Sequence, residues 1–113
     1  MVRLLCDGPD HEVALAGPDG LDVAWLHRTG CPGDDHLLAD ALRALDFPKG
    51  RLQAFVHGEA VEVREVRRHL LAERHLAAED LSCSPYWRRG LTDEAWRSVK
   101  REFVAAMDAD LTR

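Results

Sequence analysis

The chain holds little that would tie it to a membrane, a metal ion or a nucleic acid. Its 113 residues contain no unbroken apolar stretch near the roughly 20 residues that a membrane-spanning helix needs. The opening MVRLLCDGP reaches an acid and a proline before an apolar core of signal-peptide length can develop. Cysteine is scarce. Cys6, Cys31 and Cys83 are odd in number, widely spaced and form no C-x-x-C pair, which reads as reduced thiols in a cytoplasm. These cysteines and six histidines show no zinc-ligand spacing, and nothing in the sequence sets a base beside Cys31 to make it a nucleophile. An excess of basic residues is also lacking. The net charge of -5 argues against a general polyanion binder, because counterion release by Lys and Arg drives that binding. Neither a membrane nor a nucleic-acid partner is expected.

What remains is the composition of a globular protein, 46% hydrophobic and 31% charged. A single domain over residues 1–113 is expected, and folding would hide about two-thirds of its surface. Aromatics make up only 6% of the chain, so SPYWRRG, residues 84–90, stands out. Tyr86, Trp87, Arg88 and Arg89 there offer flat surfaces for stacking and guanidinium groups for an anion. The plainer reading is a strand end whose aromatics finish the core, with Trp87 beside Trp96, and whose arginines are solvated.

Periodicity and breakers divide the chain. Val2–Cys6 is a short apolar run stopped by Asp7-Gly8-Pro9, and it predicts a strand. A second strand is predicted over Asp22–His27 and a third over Leu52–His57. Both have consecutive apolar residues, which suits strands covered on both faces. Between them, Asp34 or Asp35 can cap a helix with an apolar stripe of Leu37, Leu38, Ala41, Leu42 and Leu45. A second helix starts near Glu59, with Val63, Val66 and Leu70 inward and Arg64, Arg67 and Arg68 mostly outward. The Arg67-Arg68-His69 run reads as a solvated face. A fourth strand is predicted from about Leu81 to Tyr86. Thr92 or Asp93 then caps a last helix with Trp96, Val99, Phe103 and Met107 inward.

That order predicts an α/β fold: a doubly wound, mostly parallel sheet of about four strands with three helices. Ligands of such sheets bind beyond the carboxyl ends of the strands. His27-Arg28, His57-Gly58-Glu59 and Tyr86–Arg89 all fall there.

At these residues the chain resembles a known family. AWLHR, PGDDHLLADALRALDFPKGR, FVHGEAVEVREVRRHLLAER and YWRRGLTDEAWRSVKRE are similar, in order, to segments of the siderophore-interacting proteins. These are NAD(P)H-dependent ferric-siderophore reductases of the ferredoxin-reductase type. The resemblance implies the carboxy-terminal NAD(P)H-binding domain alone, without the flavin-holding β-barrel and without that domain's first strand-helix unit. FAD would then come from a partner chain with a flavin-binding barrel, and a ferric siderophore would be the indirect substrate. His27, Arg28, Gly58 and Glu59 are the implied NADPH- or NADH-binding positions, with Arg28 suited to a 2′-phosphate. Tyr86, Trp87, Arg88 and Arg89 are implied to face flavin and substrate. His57 would narrow the pocket, and Pro85 would redirect its loop. No catalytic acid or base is implied, since nicotinamide-to-flavin hydride transfer requires none from this chain. The alternative is a non-enzymatic remnant that binds a nucleotide weakly or pairs with another protein. The strand order 3-2-1-4-5 of such domains puts the absent strand in the middle. The expected outcomes are a homodimer that covers the open edges, or Val2–Cys6 sliding against Leu52–His57 to complete one sheet.

Overall fold

The computed structural model describes residues 1–30 and 34–110, the side chain of Asp35 excepted. They fall into two compact units, Met1–Ala44 and Leu45–Arg113.

In the first unit, strands β1 (Val2–Cys6) and β2 (Val23–His27) pair in parallel, from Val2 opposite Val23 to Cys6 opposite His27. A parallel pair needs a crossover of a dozen or more residues, and residues 7–22 supply it with a single short 3-10 turn at Pro9–His11. Arg3 clamps the start of the pair through Asp22, Nη2 to Oδ2 at 3.0 Å. A 3-10 turn at Asp34–His36 leads into helix α1 (Leu37–Arg43). The predicted stripe lands on this helix, but Ala39 is its buried residue, and Leu45 lies past its end.

In the second unit, strands β3 (Ala54–Glu59) and β4 (Leu81–Trp87) are also parallel. Their register slips at its end: Gly58 faces Pro85 while Glu59 faces Trp87, leaving Tyr86 as an extra residue. Helix α2 (Ala60–Arg68) continues into a π-helical turn at His69–Glu73, and helix α3 spans Asp93–Ala109. Of the two expected caps for α3, Thr92 does the work, its Oγ1 accepting the Ala95 N–H at 3.1 Å. The core joins Ala60 and Val63 of α2 to Trp96, Phe103 and Met107 of α3, over Val56 and Cys83 of the sheet. Trp96 meets Phe103 edge-on at 5.5 Å. Each fully buried side chain of this size contributes about 1.5–3 kcal/mol.

Four expectations change. The strands are parallel, but they form two sheets of two rather than one sheet of four. The pairs β1–β2 and β3–β4 are those that the order 3-2-1-4-5 leaves once its middle strand is removed. Val2–Cys6 does not pair with Leu52–His57. Second, β3 is not covered on both faces: Phe55 is 76% exposed, because α2 and α3 pack on the Val56 and Cys83 side. Third, Trp87 does not plug the core beside Trp96, being 39% exposed against 3%. Last, the Arg67-Arg68-His69 run is solvated only at Arg68, whose side chain is 55% exposed. Arg64 and Arg68 share the Asp110 carboxylate, Arg67 donates to the Met107 carbonyl at 2.8 Å, and His69 is buried. The end of α3 explains this, since its last carbonyls have no partner within the helix and attract cations.

Candidate functional site

The carboxyl ends of β3 and β4 carry the richest chemistry. Gly58 has a φ of 149°, a backbone state that side chains rarely tolerate, so glycine is required there. An added Cβ would meet nothing within 4 Å, so conformation rather than crowding is the constraint. Glu59 follows as the N-cap of α2 and is 3% exposed. Its Oε1 accepts the N–H groups of Val61 at 2.8 Å and Glu62 at 3.0 Å, and its Oε2 accepts the Arg89 N–H at 3.1 Å. The glutamate expected to meet a cofactor therefore spends its carboxylate on three backbone donors. Glutamate is not among the preferred N-caps, so capping rules alone would miss this role. Its extra methylene lets the second oxygen reach another segment.

That segment is the one singled out in the sequence. The extra residue at Tyr86 keeps its ring on the outer face of the sheet, 58% exposed. Bulges re-aim side chains in this way and recur beside functional sites. Tyr86 lies 4.9 Å from the His57 ring, and His57 stacks on Phe55 at 3.7 Å. Three rings thus line one open face. His57 Nε2 lies 3.4 Å from Ser82 Oγ. Phe55 is a member that sequence reasoning missed, because its apolar neighbours assign it to a core.

The two arginines diverge. The Arg89 guanidinium approaches the buried Glu62 carboxylate at 3.7 Å, whereas the Arg88 guanidinium sits 5.4 Å from the Phe103 ring centre. A cavity of about 630 Å³ opens beside them, lined by Arg88 to Leu91, Val99, Glu102 and Phe103. Its volume lies within the range of small-molecule sites. Arginine and apolar side chains in its lining suit an anionic ligand with an apolar body, with the Glu102 carboxylate opposing the charge.

In the first unit, His27 and Arg28 end β2. His27 Nε2 meets Glu12 at 2.8 Å, and Arg28 Nη1 meets Asp7 at 3.2 Å. The Arg28 N–H donates to the Cys6 carbonyl at 2.9 Å. Just beyond, the Thr29 N–H, the Thr29 hydroxyl and the Gly30 N–H all donate to the Asp34 carboxylate, within 2.8–3.1 Å. This strand end gathers donors for an anion, and here the chain's own carboxylates take them. Asp34, one of the two expected helix caps, instead accepts from Thr29 and Gly30, and the Asp35 side chain lies outside the described residues. The pairings of Asp7, Glu12 and Asp34 carry no signal in the sequence, because periodicity cannot place partners across a loop.

Nucleophilic and metal chemistry find no support among the described residues. Burial pushes the Cys83 thiol above its ordinary pKa, which disfavours the reactive thiolate. Cys6 is buried, its Sγ donating to the Gly8 carbonyl. Cys31 lies outside the described residues. No three metal-binding side chains come together among the described residues. No helix among them is long and apolar enough to cross a membrane.

Residues 1–90 match the family model described as siderophore-interacting protein. The chain belongs to this family. Among curated relatives, an uncharacterised protein of Mycobacterium tuberculosis is 36% identical over 109 residues, covering 88% of this chain. The ferric vibriobactin reductase ViuB of Vibrio cholerae is 33% identical over 101 residues, again covering 88% of this chain. The chain spans only 38% and 37% of the lengths of these two proteins. A crystal structure of a siderophore utilization protein from T. fusca is 39% identical, with a TM-score of 0.67. The likeness covers 80% of this chain and 35% of that one, and it carries the mixed α/β fold with its parallel strand pairs.

Proposed function

We propose that this member of the siderophore-interacting family is the nicotinamide-binding part of a flavin-dependent ferric-siderophore reductase. In this reading it presents NAD(P)H to a flavin held on another chain with a barrel of its own, in the cytoplasm. The observation that carries the reading is the joining of two strand ends: the Gly58–Glu59 turn and the Tyr86–Arg89 segment are held together through the buried Glu59 carboxylate. Family membership and the likeness to a ferric vibriobactin reductase give the chemistry its class.

The donor set at the end of β2 fits a dinucleotide phosphate. The Thr29 and Gly30 donors already converge on a carboxylate, and Arg28 adds a charge-assisted partner. A phosphate there competes with Asp7 and Asp34, so binding is weak, near the millimolar range or ~4 kcal/mol. In the second unit, Gly58 lets backbone rather than a side chain meet a flat ligand. Arg88 and Arg89 attract the negative charge of a ferric chelate, and Tyr86 and Trp87 give it flat apolar surface. Bound NAD(P)H would supply a hydride to the flavin and the flavin single electrons to ferric ion, while Arg28, Gly58, Arg88 and Arg89 would bind and orient the reactants.

The experiment is titration with NADPH, with and without FAD and a flavin-binding barrel chain. Arg28→Ala weakens binding, while Asp7→Asn tightens it by about threefold through removal of a competing, largely exposed carboxylate. Submicromolar binding that ignores both substitutions defeats the assignment. The second reading, a protein-interaction module, draws on Phe55, exposed at 76% on a two-stranded sheet. A chain that self-associates yet binds no NADPH under any of these conditions favours it.

A further inference from the structure

Two segments meet at one carboxylate, where Glu59 and Arg89 are 30 residues apart in the chain. Glu59 is almost wholly buried, so its charge needs compensation. Three backbone N–H groups provide it, two from the first turn of α2 and one from Arg89. One oxygen serves the helix and the other serves the Tyr86–Arg89 segment. The same stretch shows the register slip that frees Tyr86 from the ladder, so regular strand pairing does not fix where Arg88 and Arg89 begin. The Arg89 N–H has an acceptor because of Glu59. Beyond it, Gly90 at φ 85° turns the chain away, and the Leu91 N–H closes that turn on the Arg88 carbonyl at 3.1 Å. Glu62, on the turn that Glu59 caps, faces the Arg89 guanidinium.

We propose that Glu59 is a positioning residue. By bridging the α2 amino terminus and the Arg89 N–H, it sets the direction in which Arg88 and Arg89 present their charge to an anionic ligand. Glu59 touches no ligand itself. The inference rests on the reading that Tyr86–Arg89 faces the substrate, and it adds the residue on which that presentation depends.

Glu59→Asp separates the two duties. Aspartate is a strong N-cap and keeps the α2 bonds, but it is one methylene too short to hold Arg89 as well. Glu59→Gln keeps the length with a single acceptor oxygen, so it serves one segment and not both. The measurements are amide hydrogen exchange by NMR, the melting temperature, and titration with the gallium(III) tris-catecholate trianion, a redox-inert anionic chelate. In Glu59→Asp the fold and the Val61 and Glu62 protection hold, with the melting temperature lowered by only a few degrees. Arg89 exchange rises by about tenfold or more, as loss of a charge-assisted bond implies, and chelate affinity falls at least threefold.

Unchanged Arg89 exchange overturns the proposal, and so does unchanged chelate affinity once Arg89 protection is lost. Loss of the fold in both variants also overturns it, by assigning Glu59 to stability alone. If the wild type itself binds no chelate, the reductase reading falls separately, and Arg89 exchange alone judges the bridge.

Discussion

Asp110 gives the sharpest test of how the second unit is held. Its carboxylate takes two bonds from Arg64, both at 2.7 Å, and a third contact from Arg68 at 3.0 Å. The Asp110 side chain is 13% exposed and that of Arg64 is 31% exposed, so this pair is better shielded than most surface ion pairs. Hydrogen bonding from Arg64, the largest effect, holds the Asp110 carboxyl well below its ordinary value of 3.8. Exposed pairs contribute about 0–1 kcal/mol, and bonds to charged groups up to about 3. For a bidentate, partly shielded pair we expect about 1–2 kcal/mol from the contact. Asp110→Asn should therefore lower the melting temperature by roughly 4–8 °C per kcal/mol lost. The signal is the fluorescence of buried Trp96 in thermal melts. The sign follows from linkage: a depressed carboxyl pKa stabilises the fold above the unfolded value and loses that effect as pH falls towards the folded one. The gap between wild type and Asp110→Asn is full above about pH 5 and narrows steadily below about pH 4. No gap near neutrality, or one that stays constant into strong acid, refutes the assignment.

Gly58→Ala puts a side chain at φ 149°, and we expect a cost of about 1–3 kcal/mol, read as a lower urea midpoint. An undiminished midpoint would show that the turn relaxes freely. Self-association is expected through the open strand edges and the Phe55 face. Light scattering at micromolar concentration should give a mass above 12.7 kDa, and Phe55→Lys should return it to the monomer value while changing stability by no more than about 0.5 kcal/mol. A wild-type mass at the monomer value rejects the dimer.

The positions of the elements were legible because each is a short-range signal. Asp7-Gly8-Pro9 stops a strand, and Thr92 announces a helix whose apolar positions recur every three or four residues. The parallel sense of the strands also followed, but not their division into two sheets. The site was half legible. Tyr86–Arg89 drew attention by composition, and the structure brings it to Glu59. The Glu59 bridge, the extra residue at Tyr86 and the exposure of Phe55 were hidden for a common reason. Each depends on which distant segment arrives opposite, and local patterns hold no information about that. The apolar run Ala54-Phe55-Val56 reads the same whether one face is covered or two. The arginines of α2 were misread because their partners, Met107 and Asp110, sit some 40 residues away at the end of another helix.

The buried Pro85 gives the β3–β4 sheet a direction of growth. A proline has no N–H to lend to a ladder, and within sheets it is confined to edge strands, strand starts and bulges. The slip at Tyr86 immediately afterwards interrupts the same strand again. β4 is thus poorly suited to take a second neighbour along this stretch. β3 has no proline in its span and has a hydrogen-bonded neighbour on one side only. A third strand, from whichever polypeptide, therefore finds the less interrupted ladder on β3.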